Sequence, residues 1–299
     1  MPRLKRPRRV GSVHTDFVAP SEDVVDDLVA RALRDAGEHA PLCSWRRVEH
    51  GSANLVVLAG RVAVRVARTP VAASDTLRAQ WLIDALPPLP FAVPRALGGA
   101  VGGPDTGGII AIAQERIDGE VHPSGSGDPR ELRRLLDALR AVDLAPLRPH
   151  LAHRHAFFGG EDGLRVMIEQ AVPLLDPAAR GAARRAAEEF AALAAAPDVL
   201  THGDLAGSNV LWAAGHGSVS GVIDWDLAAA DDESKDVAAL ATWHGGDAVA
   251  SIVPPETAYR ARVRIATYPL QLLCFALVGS RPPSEIARAV TRANEKYAG

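Results

Sequence analysis

The sequence predicts an α+β protein of two lobes. A small N-terminal lobe carries an antiparallel sheet, and a larger, mostly helical C-terminal lobe follows. Three observations predict it. Strand-like runs fall early, at 45–67 and again at 109–114, with glycine turns between them. From Asp128 onward most segments read as helices, two of them opened by Asp-Pro pairs at 128 and 176. No linker is long enough to separate independent domains, and 299 residues suffice for two lobes sharing a cleft.

The elements follow in order. Residues 1–20 hold Arg3, Lys5, Arg6, Arg8 and Arg9 with two prolines, which reads as a basic flexible tail. Ser21 caps a helix whose first turns are acidic and whose apolar stripe is Val24, Val25, Leu28, Val29, Ala32 and Leu33, ending at Gly37. Strand material from Trp45 to Glu49 breaks at His50-Gly51-Ser52-Ala53-Asn54. Residues 55–59 and 62–67 then form a hairpin, with Arg65 on the second strand. Its preceding loop can offer backbone N–H groups to phosphate. A helix over 74–86 stops at Pro87-Pro88. Ile109 to Gln114 is a buried strand that runs into Glu115-Arg116-Ile117-Asp118-Gly119, a hinge. The N-lobe is thus 21–117 and the C-lobe 118–299. Helices are expected at 128–142, 164–175, 176–196, 232–243, 256–277 and 284–297, with an irregular segment at 146–163.

Composition narrows the function. The chain is 47% hydrophobic and 23% charged, ordinary for a soluble globular protein. No run approaches eighteen uninterrupted apolar residues, so no membrane span is expected. Met1 to Arg9 has no apolar core behind it, unlike a secretory signal. Cys43 and Cys274 stand in no metal spacing and read as two buried free thiols in a reducing cytoplasm. The net charge of −3 argues against a general nucleic-acid binder. No obligate protein partner is indicated. Residues 1–117 carry 15 Lys+Arg against 12 Asp+Glu, and residues 118–299 carry 18 against 24. A mildly basic first part suits a nucleotide, and an acidic second part suits a cationic acceptor.

The chemistry concentrates in His202-Gly203-Asp204-Leu205-Ala206-Gly207-Ser208-Asn209-Val210-Leu211 and Gly221-Val222-Ile223-Asp224-Trp225-Asp226. An Asp, four spacers and an Asn are followed by a strand, a turn and a second strand ending on another Asp. Phosphoryl transfer uses that set: one Asp orients the attacking hydroxyl and takes its proton, while the Asn and the second Asp hold Mg2+ against the triphosphate. Antiparallel pairing of the two strands brings Asn209 and Asp224 to one end.

The run THGDLAGSNVLW with GVIDWDLAAADDESKDVAAL resembles the signature of the aminoglycoside phosphotransferase family, antibiotic kinases with a protein-kinase-like fold. The resemblance covers roughly Trp45 to the C-terminus. Within the family, this spacing and VEHGSANLVVLAGRVAVRVART are most similar to the viomycin and capreomycin phosphotransferases, and LPFAVPRAL to the macrolide ones. The resemblance implies a bilobal kinase-like fold, with Asp204 as catalytic base and His202 supporting the loop. Asn209 and Asp224 would ligate Mg2+. Asp236 would brace the catalytic loop through hydrogen bonds, and Asp226 would have a metal or supporting role. Glu115 and Ile117 would hold the base of ATP or GTP through backbone groups, with Ser52 and Asn54 over the phosphates. The family pattern departs at the phosphate-binding lysine, since the chain has only Lys5, Lys235 and Lys296. Arg65 sits in the matching strand. The helix at 74–86 offers Asp75 and Asp84 but no Glu to pair with it.

The expectation is therefore a cytoplasmic antibiotic O-phosphotransferase that moves the γ-phosphoryl of ATP or GTP to a hydroxyl. The small-molecule acceptor would be an aminoglycoside, a viomycin-type peptide, a macrolide or a nucleoside. For a cationic acceptor, Glu161, Asp162, Asp231, Asp232 and Glu233 are the candidate contacts. For an apolar one, Trp212, Trp225 and Trp243 lie near the motif. The alternatives are a kinase for choline, homoserine or a sugar, and a nucleotide-binding pseudokinase scaffold.

Overall fold

The computed structural model describes residues 20–48 and 51–299. The basic tail, apart from Pro20, Glu49 at the end of the first expected strand, and His50 of the break after it lie outside the described residues.

Helix α1 (Glu22–Asp35) buries Val25, Leu28, Val29, Ala32 and Leu33 against the sheet, as its stripe predicts. Ser21 stands at the N-cap, but its hydroxyl makes no capping bond, so Glu22 and Asp23 complement that helix end instead. Cys43 is exposed on the turn that follows, contrary to expectation, while Cys274 is buried.

Next come β1 (Arg46–Val48), β2 (Asn54–Ala59) and β3 (Val62–Ala67). Helix α2 (Pro70–Ala85) begins four residues earlier than expected. The Thr69 hydroxyl accepts from the Ala72 amide at 3.1 Å and Pro70 opens the first turn, a cap-plus-proline start ahead of the apolar residues. Strands β4 (Val101–Gly103) and β5 (Ile109–Glu115) complete an antiparallel sheet of order β1-β2-β3-β5-β4. Side chains alternate across it. Leu55, Val57, Val62, Val64 and Val66 pack under α1. Ala67, Ile110 and Ile112 meet Ala72 and Ala73 of α2 on the other face. That alternation turns Arg65 away from α1 and toward the cleft.

Past the hinge, β6 (Glu120–Val121) leads to α3 (Pro129–Arg140), whose Asp128 cap accepts from the Arg130 amide at 2.8 Å. Residues 145–162 form short 3-10 turns, in keeping with the irregular reading. The helix expected at 164–175 is a single turn, α4 (Gly163–Arg165), running into a π turn at Val166–Ala171 and a 3-10 turn at Val172–Leu174, which contains Pro173. Helix α5 (Pro177–Ala191) follows. Then β7 (Val199–Thr201), β8 (Val210–Trp212), β9 (Val219–Val222) and β10 (Ala229–Asp231) frame the motif. β8 and β9 pair antiparallel as expected, with β6 alongside β8, while β10 pairs with β7. Helices α6 (Ser234–His244), α7 (Gly246–Ala250), α8 (Pro255–Val278) and α9 (Pro283–Ala298) close the chain, α7 being unanticipated. α8 is long and apolar enough in composition to cross a bilayer, but here it packs against α5, α6 and α9 as the lobe's central helix.

The boundary at 117 divides the sheets but not the core. Leu82, Ile83 and Leu86 of the α2 end, with Phe91 and Val93, join Leu132, Leu200, Trp212 and Trp225 in the largest apolar cluster. The segment after α2 lies beside β9: the Ala92 amide donates to the Ser220 carbonyl at 2.9 Å, and the Val222 amide to the Ala92 carbonyl at 3.0 Å. The two lobes are thereby joined next to the hairpin that carries the motif.

Candidate active site

The catalytic loop leaves β7 and is fixed from below by α6. Asp236 accepts from the His202 amide at 2.7 Å and from the Gly203 amide at 2.8 Å, the bracing role the resemblance implies. Gly203 has φ 86°, and a Cβ there would meet the Leu227 carbonyl, so only glycine fits. His202 is fully buried, edge-on to Trp225 with ring centroids 4.7 Å apart. Its Nδ1 accepts from the Asp204 amide at 3.3 Å, which places the proton on Nε2, donating to the Ile223 carbonyl at 3.0 Å. Both nitrogens are satisfied in the neutral ring. Burial lowers the imidazole to about 4.

Asn209 ties the loop shut. Its Nδ2 donates to the Asp204 carbonyl at 2.9 Å and to Asp204 Oδ2 at 3.0 Å. Burial raises the Asp204 carboxyl, and the Asn209 hydrogen bond and the Lys235 ammonium pull against that rise. A carboxylate in this setting is a stronger base than one in water, which suits proton abstraction from a hydroxyl.

The hairpin delivers the remaining carboxylates. Val210 opposes Val222, and the Ile223 amide donates to the Asn209 carbonyl at 2.9 Å, so Asp224 stands beside Asn209. Asp224 adopts the left-handed conformation, φ 66° and ψ 64°, which Asp tolerates better than most side chains. The turn then presents Asp226 to the same cleft. Burial raises the Asp224 carboxyl; Arg65 opposes the rise, while Asp226 and Asp204 add to it. With 49% of the side chain open to the cleft, water screens that shift.

Arg65 faces these carboxylates. Its Nη2 lies 2.8 Å from Asp226 Oδ2 and 3.1 Å from Asp224 Oδ1. Burial works against the guanidinium charge, but Asp226 and then Asp224 outweigh it, and the pKa is raised. The acidic partners left open by the sequence are thus these two aspartates, not a residue of α2. Asn54 also differs from expectation. It is buried, donating from Nδ2 to Asp226 Oδ2 at 3.0 Å while its Oδ1 accepts from the Thr76 hydroxyl at 2.8 Å. Its side chain ties α2 to Asp226 rather than facing outward over phosphates, whereas Ser52 is exposed at the tip of that turn. Thr76 and Arg78 were not anticipated. Arg78 donates to the Asp226 carbonyl at 2.6 Å and the His150 carbonyl at 3.0 Å. No motif marks them; they matter because α2 lies across this turn. At the hinge, the Glu115 amide donates to the Arg95 carbonyl at 2.8 Å, and Ile117 packs over Gly221.

The donor set suits a hard divalent cation. Asn209, Asp224 and Asp226 offer only oxygen, and Asp226 Oδ1 is buried with no hydrogen-bond partner. Magnesium takes few protein ligands and completes its shell with water and phosphate oxygens. Among the described residues no cluster of three or more His, Cys, Asp or Glu side chains makes a closed metal cage.

On the other side of Asp204 lies a cavity of about 250 Å3. Gly203, Asp204, Ala206 and Gly207 form one wall. Phe157, Leu227, Trp243, Tyr268 and Leu272 form an apolar surround, with Arg154, Lys235 and Arg264 also facing in. The acidic residues expected to bind an acceptor are absent from this lining. Asp231 is 1% and Asp232 6% exposed, both ion-paired to Arg264, and Asp232 also to Arg260. They border a separate recess. Glu233 pairs with Arg140, and Asp162 with Arg165. Glu161 is exposed on the Gly160–Asp162 turn and is not among the residues lining the cavity. Their carboxylates are engaged by arginines the sequence did not show to be near, or point elsewhere. Trp212 and Trp225 are core residues, and Trp243 alone of the three tryptophans lines the cavity. Lys235 also lines this cavity, and its place next to Asp236 is the signal for it in the sequence.

The chain is 32% identical to the viomycin phosphotransferase of Streptomyces vinaceus over 225 residues, 69% of this chain and 76% of that relative. Its fold matches a GDP complex of aminoglycoside 2′-phosphotransferase-IIIa with a TM-score of 0.75 at 17% identity, covering 92% of this chain and 97% of that one. It also matches the macrolide 2′-phosphotransferase MphH of Brachybacterium faecium with a TM-score of 0.68 at 20% identity, covering 91% and 98%. At those identities the structural likeness is one of fold. Residues 44–265 match the phosphotransferase enzyme family, known as APH, and the chain belongs to that family.

Proposed function

We propose that this phosphotransferase moves the γ-phosphoryl of a nucleoside triphosphate, ATP or GTP, to a hydroxyl of an antibiotic-type small molecule. One observation carries the reading. Asp204 lies between the carboxylate cluster of Asp224 and Asp226 on one side and a cavity able to hold an acceptor on the other. Asp204 takes the hydroxyl proton as the acceptor oxygen forms its bond to the γ-phosphorus. The bond to the β-phosphate oxygen breaks, and the nucleoside diphosphate leaves. Asn209 holds the Asp204 carboxylate in one rotamer, and Asp236 holds the peptide before it. Positioning of this kind supplies much of the rate in phosphoryl transfer.

Asn209, Asp224 and Asp226 would hold Mg2+, which when bound neutralises charge on the transferring phosphates. Arg65 stands where its guanidinium can turn from the aspartates to phosphate oxygens, and Ser52 lies on the turn above. Glu115 and Ile117 would meet the nucleotide base. The free thiols Cys43 and Cys274 support a reducing cytoplasm as the working compartment.

The test is a coupled assay of nucleoside diphosphate release across an antibiotic panel, with mass detection of the phosphorylated product. Transfer to at least one antibiotic, abolished in Asp204→Asn, is the expected result. Turnover confined to choline, homoserine or a sugar would overturn the antibiotic reading. Nucleotide binding without transfer to any acceptor would overturn the enzymatic one.

A further inference from the structure

The cavity beside Asp204 is built for a different acceptor from the one its charge distribution in sequence suggested. Of the side chains lining it, Asp204 is the only carboxylate, whereas Arg154, Lys235 and Arg264 are cations. Asp231, which could have answered an ammonium group, is 2% exposed at its side chain and held by Arg264 at 3.1 Å. Lys235 Nζ donates to the Arg154 carbonyl at 3.1 Å and lies 4.0 Å from Asp231, which leaves part of its donor capacity uncommitted. The walls are apolar. Phe157 stacks on Phe275 with ring centroids 5.0 Å apart. Trp243 commits its indole N–H to the His122 carbonyl at 2.8 Å, so what it adds to the cavity is ring surface. Leu272 is 42% exposed and adds apolar surface at the rim.

We infer that the acceptor is an alcohol on an apolar, non-cationic body, and that Lys235 is the specificity residue that turns polycations away. The acceptor's hydroxyl meets Asp204 while its body covers Phe157, Trp243, Tyr268 and Leu272. Arg154 is held by Asp198 at 3.1 Å and by Asp231 at 3.9 Å, so an ammonium group brought into the cavity would chiefly face Lys235, whose nearest carboxylate contact is the 4.0 Å one to Asp231, with no free carboxylate other than the catalytic base. Like-charge repulsion at such separations weakens binding by roughly tenfold or more in a partly desolvated site. The inference rests on the phosphotransfer reading for the role of the bound molecule, but what the cavity binds is decided separately.

The experiment measures binding first. Anilinonaphthalene sulfonate, an aromatic anion that fluoresces in apolar surroundings, is titrated into the full chain and then displaced. The competitors are cholate, an apolar body with hydroxyls and a carboxylate, and kanamycin and viomycin, which carry several ammonium groups. The expected result is saturable probe binding, displacement by cholate, and none by kanamycin or viomycin. Leu272→Asp should weaken probe binding roughly tenfold, as lost apolar contact and an added like charge predict. Its far-UV spectrum and nucleotide affinity should match the parent's. Lys235→Gln should let kanamycin compete. Displacement by kanamycin or viomycin as readily as by cholate in the parent would overturn the inference. So would a Leu272→Asp protein that binds the probe like the parent, or a Lys235→Gln protein that still excludes kanamycin. Intact cholate binding with no phosphoryl transfer to any acceptor would remove the phosphotransfer reading and leave the cavity's selectivity standing.

Discussion

Replacing Arg65 by methionine keeps most of the side-chain volume and deletes the one guanidinium that faces both Asp224 and Asp226. Its side chain is 8% exposed, against 16% for Asp226 and 49% for Asp224. Removing one partner of a buried ion pair costs about 3–5 kcal/mol, because the other charge is left uncompensated. Here that figure applies mainly to Asp226, since the cleft hydrates Asp224. We therefore expect a loss of about 2–3 kcal/mol, scaled down from the buried-pair value for that screening. For a chain of this size that is a fall in Tm of about 3–5 °C. The assay is thermal unfolding followed by circular dichroism in chelator and again in excess Mg2+. A cation held by Asn209, Asp224 and Asp226 would replace the missing positive charge, so Mg2+ should recover half or more of the loss. The deficit should also shrink as the pH falls. Arg65 opposes the rise of the Asp224 carboxyl, so without it that group titrates at higher pH, and the cost of its charge is present above that range and disappears once it is protonated. A deficit under about 1 kcal/mol, unaffected by Mg2+ and by pH, would mean that solvent already screens the pair and that the reasoning fails.

Other substitutions test the catalytic loop. Asp204→Asn should reduce kcat by about 10²–10⁴, the usual scale for a general base, and leave nucleotide KM unchanged in steady-state kinetics; an unaltered kcat would refute the assignment. Gly203→Ala forces a side chain into a left-handed position against the Leu227 carbonyl. It should cost about 1–3 kcal/mol or more in a denaturant titration; an unmoved midpoint would show that the loop can shift at little cost. His202 is held neutral, with its pKa lowered from 6.5 to about 4 by burial. A base depressed in the folded state binds fewer protons there than in the unfolded chain. Its contribution is whole above pH 6.5 and is lost as the pH falls through 4, worth up to about 3 kcal/mol. Asp236, raised to about 6 by burial, acts in the opposite sense: its contribution is present below the ordinary Asp range and is lost as the pH rises through 6. Comparing the parent with His202→Asn between pH 4 and 6.5 isolates the histidine, and parallel stability profiles would refute its role.

The donor half of the site was legible because its parts are local. Asp204 and Asn209 share one loop, and the strands that carry Asn209 to Asp224 are joined by a short turn, so chain connectivity alone limits how far apart they can lie. Asp236 follows on the next helix. Period-two alternation likewise assigned Arg65 to a face opposite Val64 and Val66. The surroundings that the sequence does not reveal depend on contacts between segments distant in it. Asn54 and Asp226 are 172 positions apart, and Arg264 and Asp231 are 33 apart. In neither pair does the sequence near one residue indicate the other.

The sequence by itself determined the phosphotransferase family: Asp204, Asn209, Asp224 and Asp236 are brought together by short-range geometry that spacing encodes. Tertiary structure decided the charge environment. Arg65 is partnered by Asp224 and Asp226 because alternation in β3 turns it to the cleft where the β8–β9 hairpin ends. The acidic residues at 231–233 stay out of the cavity lining because α3 and α8 bring Arg140, Arg260 and Arg264 onto them. What remains around Asp204 is a largely apolar wall with Arg154, Lys235 and Arg264 and no second carboxylate, because the acidic side chains are spent on arginines packed beside them.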